Sequence, residues 1–203
     1  LLQLNSCESY SIMQRPIVIQ SFHARPWPKV IEMAIESVIS WAKKRDYRYM
    51  LFGDEVMDLL PDGFAIKCSN RIPMMIDLAR LLTIRQLFEE GAEQVIWFDA
   101  DMLIFSTEHF DVDLTSEQAV GREIWVSKTK AGRWKAHRHV HNAVLSFRRT
   151  SPILDFLIFG SKFSILDMPR WLYIQFFTRN PNLQSESTNS FTQRRKLRNF
   201  NLG

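Results

Sequence analysis

The run Gln94-Val95-Ile96-Trp97-Phe98-Asp99 constrains the fold most. It is apolar at successive positions rather than alternate ones. That pattern fits a strand buried on both faces, as in a parallel sheet covered by helices. A helical pattern leads into it over residues 72–90. There Ile76, Leu78, Ala79, Leu82, Leu87 and Phe88 form an apolar face, and Gly91 stands where a helix C-terminus favours glycine. Asp99-Ala100-Asp101 follows at the carboxyl end of the strand, where open α/β sheets bind ligands.

The flanking sequence repeats the strand–helix alternation. Residues 16–22 (PIVIQSF) read as a first strand. Residues 28–43 place Ile31, Ile35, Val38 and Ile39 at helical spacing behind Pro28, and residues 47–52 (YRYMLF) return to strand character. Leu60-Pro61-Asp62-Gly63 is a turn signal. Later strands are predicted over 123–130 and 140–147, and Ser151-Pro152 predicts a capped helix reaching about Phe159. The fold class is α/β, one domain with a mostly parallel sheet covered by helices. The domain spans 16–179, between an N-terminal extension at 1–15 and a polar, then basic, tail at 180–203.

Composition narrows the function classes. Two cysteines, Cys7 and Cys68, argue against a disulfide scaffold or cysteine-rich metal site and lean towards a reducing compartment. No apolar run is long enough for a membrane span. The expectation is a cytoplasmic protein, with peripheral attachment to a membrane as a variant. The net charge of +4 is unevenly spread. Between Arg122 and Arg149, eight Lys or Arg stand against one Glu, and 180–203 carries four against one. Such strips face phosphate, nucleic acid or lipid, or are simply solvated.

Two carboxylates separated by one small residue suit a hard divalent cation. Mn²⁺ or Mg²⁺ is held by one or two carboxylates plus substrate phosphates. Asp111-Val112-Asp113 repeats the spelling but has no strand before it. Asp77 and Arg80 lie one helical turn apart on one face. His137, His139 and His141 alternate, which on a strand puts all three on one face and makes a transition-metal site conceivable.

The stretch from Asp77 to Phe105 resembles the donor-binding core of GT-A-fold glycosyltransferases, the nucleotide-diphospho-sugar transferase superfamily, in which a helix leads into an apolar strand ending in Asp-x-Asp. HNAVLSFRRTSPILDFL, from His141 to Leu157, resembles their Asn-containing strand and the Ser/Thr-Pro-capped helix after it. The similarity covers about residues 16–160. It implies a single Rossmann-like GT-A domain and glycosyl transfer from a nucleoside-diphosphate sugar, a UDP-sugar favoured, to a glycan or other hydroxyl acceptor. Asp101 would bind the metal, and Asp99 the metal or ribose, with Ala100 beside the donor. Asp77, Arg80 and Asn142 would hold the sugar. Gln20, Ser21 and Phe22 would lie near base and ribose, and Asp54 near the nucleoside. His141 is a further candidate ligand.

The resemblance breaks after the Asn-containing strand, where such domains usually continue. Asp167 is the candidate catalytic base there, and the short C-terminus puts activity in question. Rival readings are a haloacid-dehalogenase-like phosphohydrolase with an aspartyl nucleophile, and an inactive sugar-nucleotide-binding protein. In the phosphohydrolase pattern the position two residues after the second Asp is usually Thr or Val; here it is Leu103. Nucleic acid is not an expected partner.

Overall fold

The computed structural model describes residues 15–23, 25–68 and 71–163. Asp167, the tail at 180–203 and all but the last residue of the 1–15 extension lie outside these. In chain order the elements are β1 (Ile17–Ser21), α1 (Lys29–Lys44), β2 (Arg48–Phe52), a 3-10 helix (Asp54–Leu59), α2 (Phe64–Lys67), α3 (Ile72–Glu89), β3 (Gln94–Phe98), β4 (Gln118–Lys128), β5 (Trp134–Arg148) and α4 (Ile153–Phe163). Among the described residues no helix is long and apolar enough to cross a membrane.

The five strands form one sheet in the order β2-β1-β3-β5-β4. β1 lies parallel to both β2 and β3, whereas β5 runs antiparallel to β3 and β4 antiparallel to β5. The fold is therefore mixed α/β with an open sheet, and the expectation of a mostly parallel sheet is corrected to a half-parallel one. The apolar run of β3 does not distinguish the two cases. Burial on both faces makes it apolar, whichever way its neighbours point.

That double burial is visible residue by residue. Val18, Ile96, Phe98 and Val144 pack on one face against Val38, Trp41 and Ala42 of α1 and against Ile104, Phe110 and Val112 from the segment after β3. Ile17, Ile19, Val95, Trp97, Leu145 and Phe147 pack on the other against α3 and α4. Trp41, Trp97, Phe98 and Phe147 are among the largest fully enclosed side chains. Each buried side chain of this size contributes about 1.5–3 kcal/mol relative to exposure. The indole N–H of Trp41 donates to the Phe110 carbonyl at 3.0 Å, so the aromatic cluster carries no unpaired indole donor there.

The last helix begins at Ile153, and just before it the Ser151 hydroxyl donates to Gln118 Oε1 at 3.1 Å, tying β4 to the helix entrance. β4 and β5 are much longer than their sequence patterns suggested, and the basic residues around 128–138 lie mostly on the strands of this hairpin rather than in a loop.

A register shift divides the hairpin. Val120 faces Leu145, but the next residue, Gly121, faces His141. Residues 142–144 of β5 are thereby released from β4. The Ala143 N–H donates to the Nδ1 of His141 at 3.0 Å. Glycine is required at the shift, because a Cβ on Gly121 would stand 2.9 Å from the His141 carbonyl oxygen. Gly121→Ala is expected to destabilise the domain by about 1–3 kcal/mol through overpacking. Urea titration checks this: the midpoint should fall with the slope unchanged.

Candidate functional site

The chain turns sharply at the end of β3. The Asp99 N–H donates to the Ala143 carbonyl at 2.8 Å, and the Asp99 carbonyl accepts the Met102 N–H at 3.0 Å. The same carbonyl also accepts Nε2 of Gln20 at 3.1 Å, from the neighbouring strand β1. Ala100 is buried against Ile31 and Ile35 of α1, with Phe22, Trp27 and Tyr49 around them. The small residue between the two carboxylates is thus a packing residue. Asp101, next along the turn, is exposed.

Asp99 and Asp101 consequently differ in kind. The Asp99 side chain is 26% exposed and forms an ion pair with Nη2 of Arg80 at 3.1 Å. Its Oδ1 also accepts the indole N–H of Trp97 at 2.8 Å. Both contacts end on Oδ1, so neither engages Oδ2. Trp97 belongs to the core, as its place in the apolar run implies, and also borders the candidate site. The signal for the second role was available, since residues i and i+2 of a strand share a face.

Arg80 joins three elements. It sits on α3 with its side chain only 7% exposed, and it reaches Asp99 after β3, Asp77 one turn earlier at 3.5 Å, and the Asn142 carbonyl on β5 at 2.7 Å. Its guanidinium carbon lies 5.2 Å from the Trp97 ring centroid, a cation–π distance. Its Nε is buried without a hydrogen-bond partner among the described residues; the indole face is the compensation available nearby. Asn142 closes the ring of contacts by donating from Nδ2 to Asp77 Oδ1 at 2.9 Å. Asp77, Arg80, Asp99 and Asn142 are therefore one hydrogen-bonded cluster at the carboxyl end of β3. The register shift of the hairpin makes it possible, because it frees Asn142 and Ala143 from β4.

The remaining candidates lie around this cluster. Gln20 is fully buried, and Tyr49 on β2 donates its hydroxyl to Gln20 Oε1 at 2.9 Å. Ser21 donates to the Gly53 carbonyl at 3.1 Å, and the Phe22 N–H donates to the Phe52 carbonyl at 3.0 Å, so the ends of β1 and β2 are tied together. The Phe22 ring meets the Trp27 ring edge-on at 6.3 Å. Asp54 is exposed at the start of the 3-10 helix, where Glu55 rather than Asp54 accepts the Gly53 N–H. His137, His139 and His141 do share a face, and the first two rings stack at 6.3 Å. Among the described residues, however, no three His, Cys, Asp or Glu side chains converge as a metal-binding group. His141 already spends Nδ1 on the Ala143 N–H. The donor set at Asp99 and Asp101 fits a cation completed by substrate oxygens, and does not fit a centre built from protein alone.

Tyr49 and Gln20 were not linked by any sequence signal. Burial pushes the Tyr49 phenol well above its ordinary value of 10.0, so it stays a hydrogen-bond donor. Tyr49→Phe leaves Gln20 Oε1 buried without this donor and is expected to cost about 1–3 kcal/mol. The pH sign follows from linkage. Above the ordinary phenol value the unfolded chain releases the proton while the folded chain retains it, so the tyrosine's contribution falls as pH rises further. The stability difference between wild type and Tyr49→Phe should be full at neutral pH and shrink above the ordinary phenol value. Paired urea titrations across that range check it.

Comparison with known proteins finds no matching family profile and no matching curated protein. Among solved structures, the chain is similar to a glycosyltransferase involved in the glycosylation of the major capsid of PBCV-1, at 15% identity and a TM-score of 0.44, covering 85% of this chain and 78% of that one.

Proposed function

We propose that this domain is a glycosyltransferase that takes a nucleoside-diphosphate sugar, a UDP-sugar favoured, with Mn²⁺ or Mg²⁺ and transfers the sugar to a hydroxyl acceptor. One observation carries the reading. Asp77 and Arg80 from α3, Asp99 after β3 and Asn142 from β5 meet in one hydrogen-bonded cluster, with the exposed Asp101 across the turn. These are residues to which the sequence resemblance assigns donor-site roles.

The charges favour a cation. Asp77, Asp99 and Asp101 supply three carboxylates, and Arg80 is the guanidinium set among the first two. Asp101 and Oδ2 of Asp99 are the oxygens that would hold the cation. When bound, it supplies charge neutralisation for the departing diphosphate. The chain's own groups do the rest. Arg80 holds Asp99 in place and offsets part of the local negative charge. Asp77 and the Asn142 amide offer an acceptor and a donor–acceptor pair to sugar hydroxyls. Gln20 and Ser21, at the end of β1, border the space for the nucleoside. A carboxylate base for an inverting reaction would be Asp167.

The phosphohydrolase alternative asks Asp99 to act as nucleophile. That pattern usually has Thr or Val two residues after the second Asp, where this chain has Leu103.

The test is a panel of nucleotide sugars, assayed for binding, hydrolysis and transfer with Mn²⁺, with Mg²⁺ and with chelator. The expected result is metal-dependent use of at least one donor, lowered about a hundredfold or more by Asp101→Ala, with the melting temperature unchanged because Asp101 is exposed. Undiminished activity in chelator, or a fully active Asp101→Ala variant, would overturn the metal role. Metal-dependent donor binding with neither transfer nor hydrolysis would assign the domain to binding alone.

A further inference from the structure

We propose that the outer part of the β4–β5 hairpin is an arm that docks on membrane surfaces rich in anionic phospholipid. The inference is independent of the donor-site reading. Beyond the register shift at Gly121, β4 and β5 pair with each other, and β3 reaches β5 only between Val144 and Arg148. The outer arm is thus a two-stranded ribbon, a structure that is marginal in water without a partner.

Its two faces follow from the register. Opposite residues share a face, so Arg122 with Val140, Ile124 with Arg138, Val126 with Ala136 and Lys128 with Trp134 line one side. This side is apolar along its middle and cationic between. Ile124 is 64% exposed, Val126 60% and Trp134 69%. Lys128 Nζ lies 5.0 Å from the Trp134 ring centroid, which puts cation and indole together at the tip. From 121 to 141 the arm carries Arg122, Lys128, Lys130, Arg133, Lys135 and Arg138 against Glu123.

Charge and shape select the occupant. Exposed apolar surface interleaved with cations suits the boundary between anionic headgroups and acyl chains, where Trp is also favoured. A second copy would bring two arms of like charge together, which costs energy. Residues 180–203 are also net basic, so charge disfavours them as a cover. A nucleic acid would satisfy the cations and stack on Trp134, but it would leave Ile124, Val126 and Val140 without a suitable partner. Lipid satisfies both components.

The experiment is sedimentation of the full chain with vesicles of phosphatidylcholine mixed with phosphatidylserine, and with vesicles of phosphatidylcholine alone. Binding is expected only to the anionic vesicles and should weaken steeply with salt. The double variant Lys128→Gln/Arg138→Gln should lower partitioning about thirtyfold. Ile124→Ser/Trp134→Ser should lower it at least about tenfold. All four positions are exposed, and circular dichroism with thermal melting checks that the variants fold. Absent binding, equal binding to neutral vesicles, or binding indifferent to both variants would overturn the proposal. Retention of a single-stranded RNA through the same cations, without vesicle binding, would reassign the arm to nucleic acid. A concentration-dependent dimer lost in Ile124→Ser/Trp134→Ser, without vesicle binding, would reassign it to self-association.

Discussion

The buried guanidinium of Arg80 is the interaction on which the arrangement at the end of the sheet depends. Taking a cation out of water is costly unless it is paired and hydrogen-bonded. Here Asp99, Asp77, the Asn142 carbonyl and the Trp97 face share the compensation. Removing one partner of such a group typically costs about 3–5 kcal/mol, because a buried charge is left behind. Arg80 therefore couples stability to geometry. The contacts that allow its burial also hold α3, the end of β3 and the inner part of β5 at fixed separations. Its unpaired Nε marks the limit of that compensation, since the guanidinium meets an indole face as well as oxygens.

A second set of bonds fixes the main chain where Arg80 fixes the side chains. Tyr49 orients the Gln20 amide, and Gln20 holds the Asp99 carbonyl, so the turn is fastened from β1 and β2 as well as from β5. The parallel and antiparallel halves of the sheet contribute different things. The parallel half brings Ser21, Gly53 and Asp99 to one edge. The antiparallel half brings Asn142 to that edge from the middle of a long strand, which only the slip at Gly121 permits. A regular ladder would have carried the pairing with β4 through Asn142.

Much of this was legible in the residues. β1, α1, β2, α3 and β3 fall close to where periodicity and punctuation put them, because each has one dominant local signal: an apolar run, a helical stripe or a closing glycine. Strand direction was not legible in β3, because burial on both faces erases the alternation that might have distinguished its neighbours. The outer lengths of β4 and β5 were missed for the opposite reason. Both their faces are exposed, so neither shows a buried period. At the site, Asp77 and Arg80 were paired by helical spacing, but the contact of Arg80 with Asp99 spans separate elements and has no local signature. The Ser151 hydroxyl bond to Gln118 likewise spans separate elements and has no local signature.

The two acidic residues of the turn have unequal parts to play, and the fold is the reason. Asp99 is fixed through its N–H, its carbonyl and its Oδ1, by partners from α3, β1, β3 and β5. Asp101 is exposed beyond a buried alanine that orients the turn. A site that receives a charged ligand benefits from both conditions. The fixed carboxylate sets the position of charge without reorganising when the ligand arrives, which is the advantage of a preorganised electrostatic site. The exposed carboxylate, in the proposed function, would adjust its rotamer as the ligand binds. In Asp99-Ala100-Asp101 a fixed carboxylate and an exposed one are thus separated by a small side chain that packs beneath them.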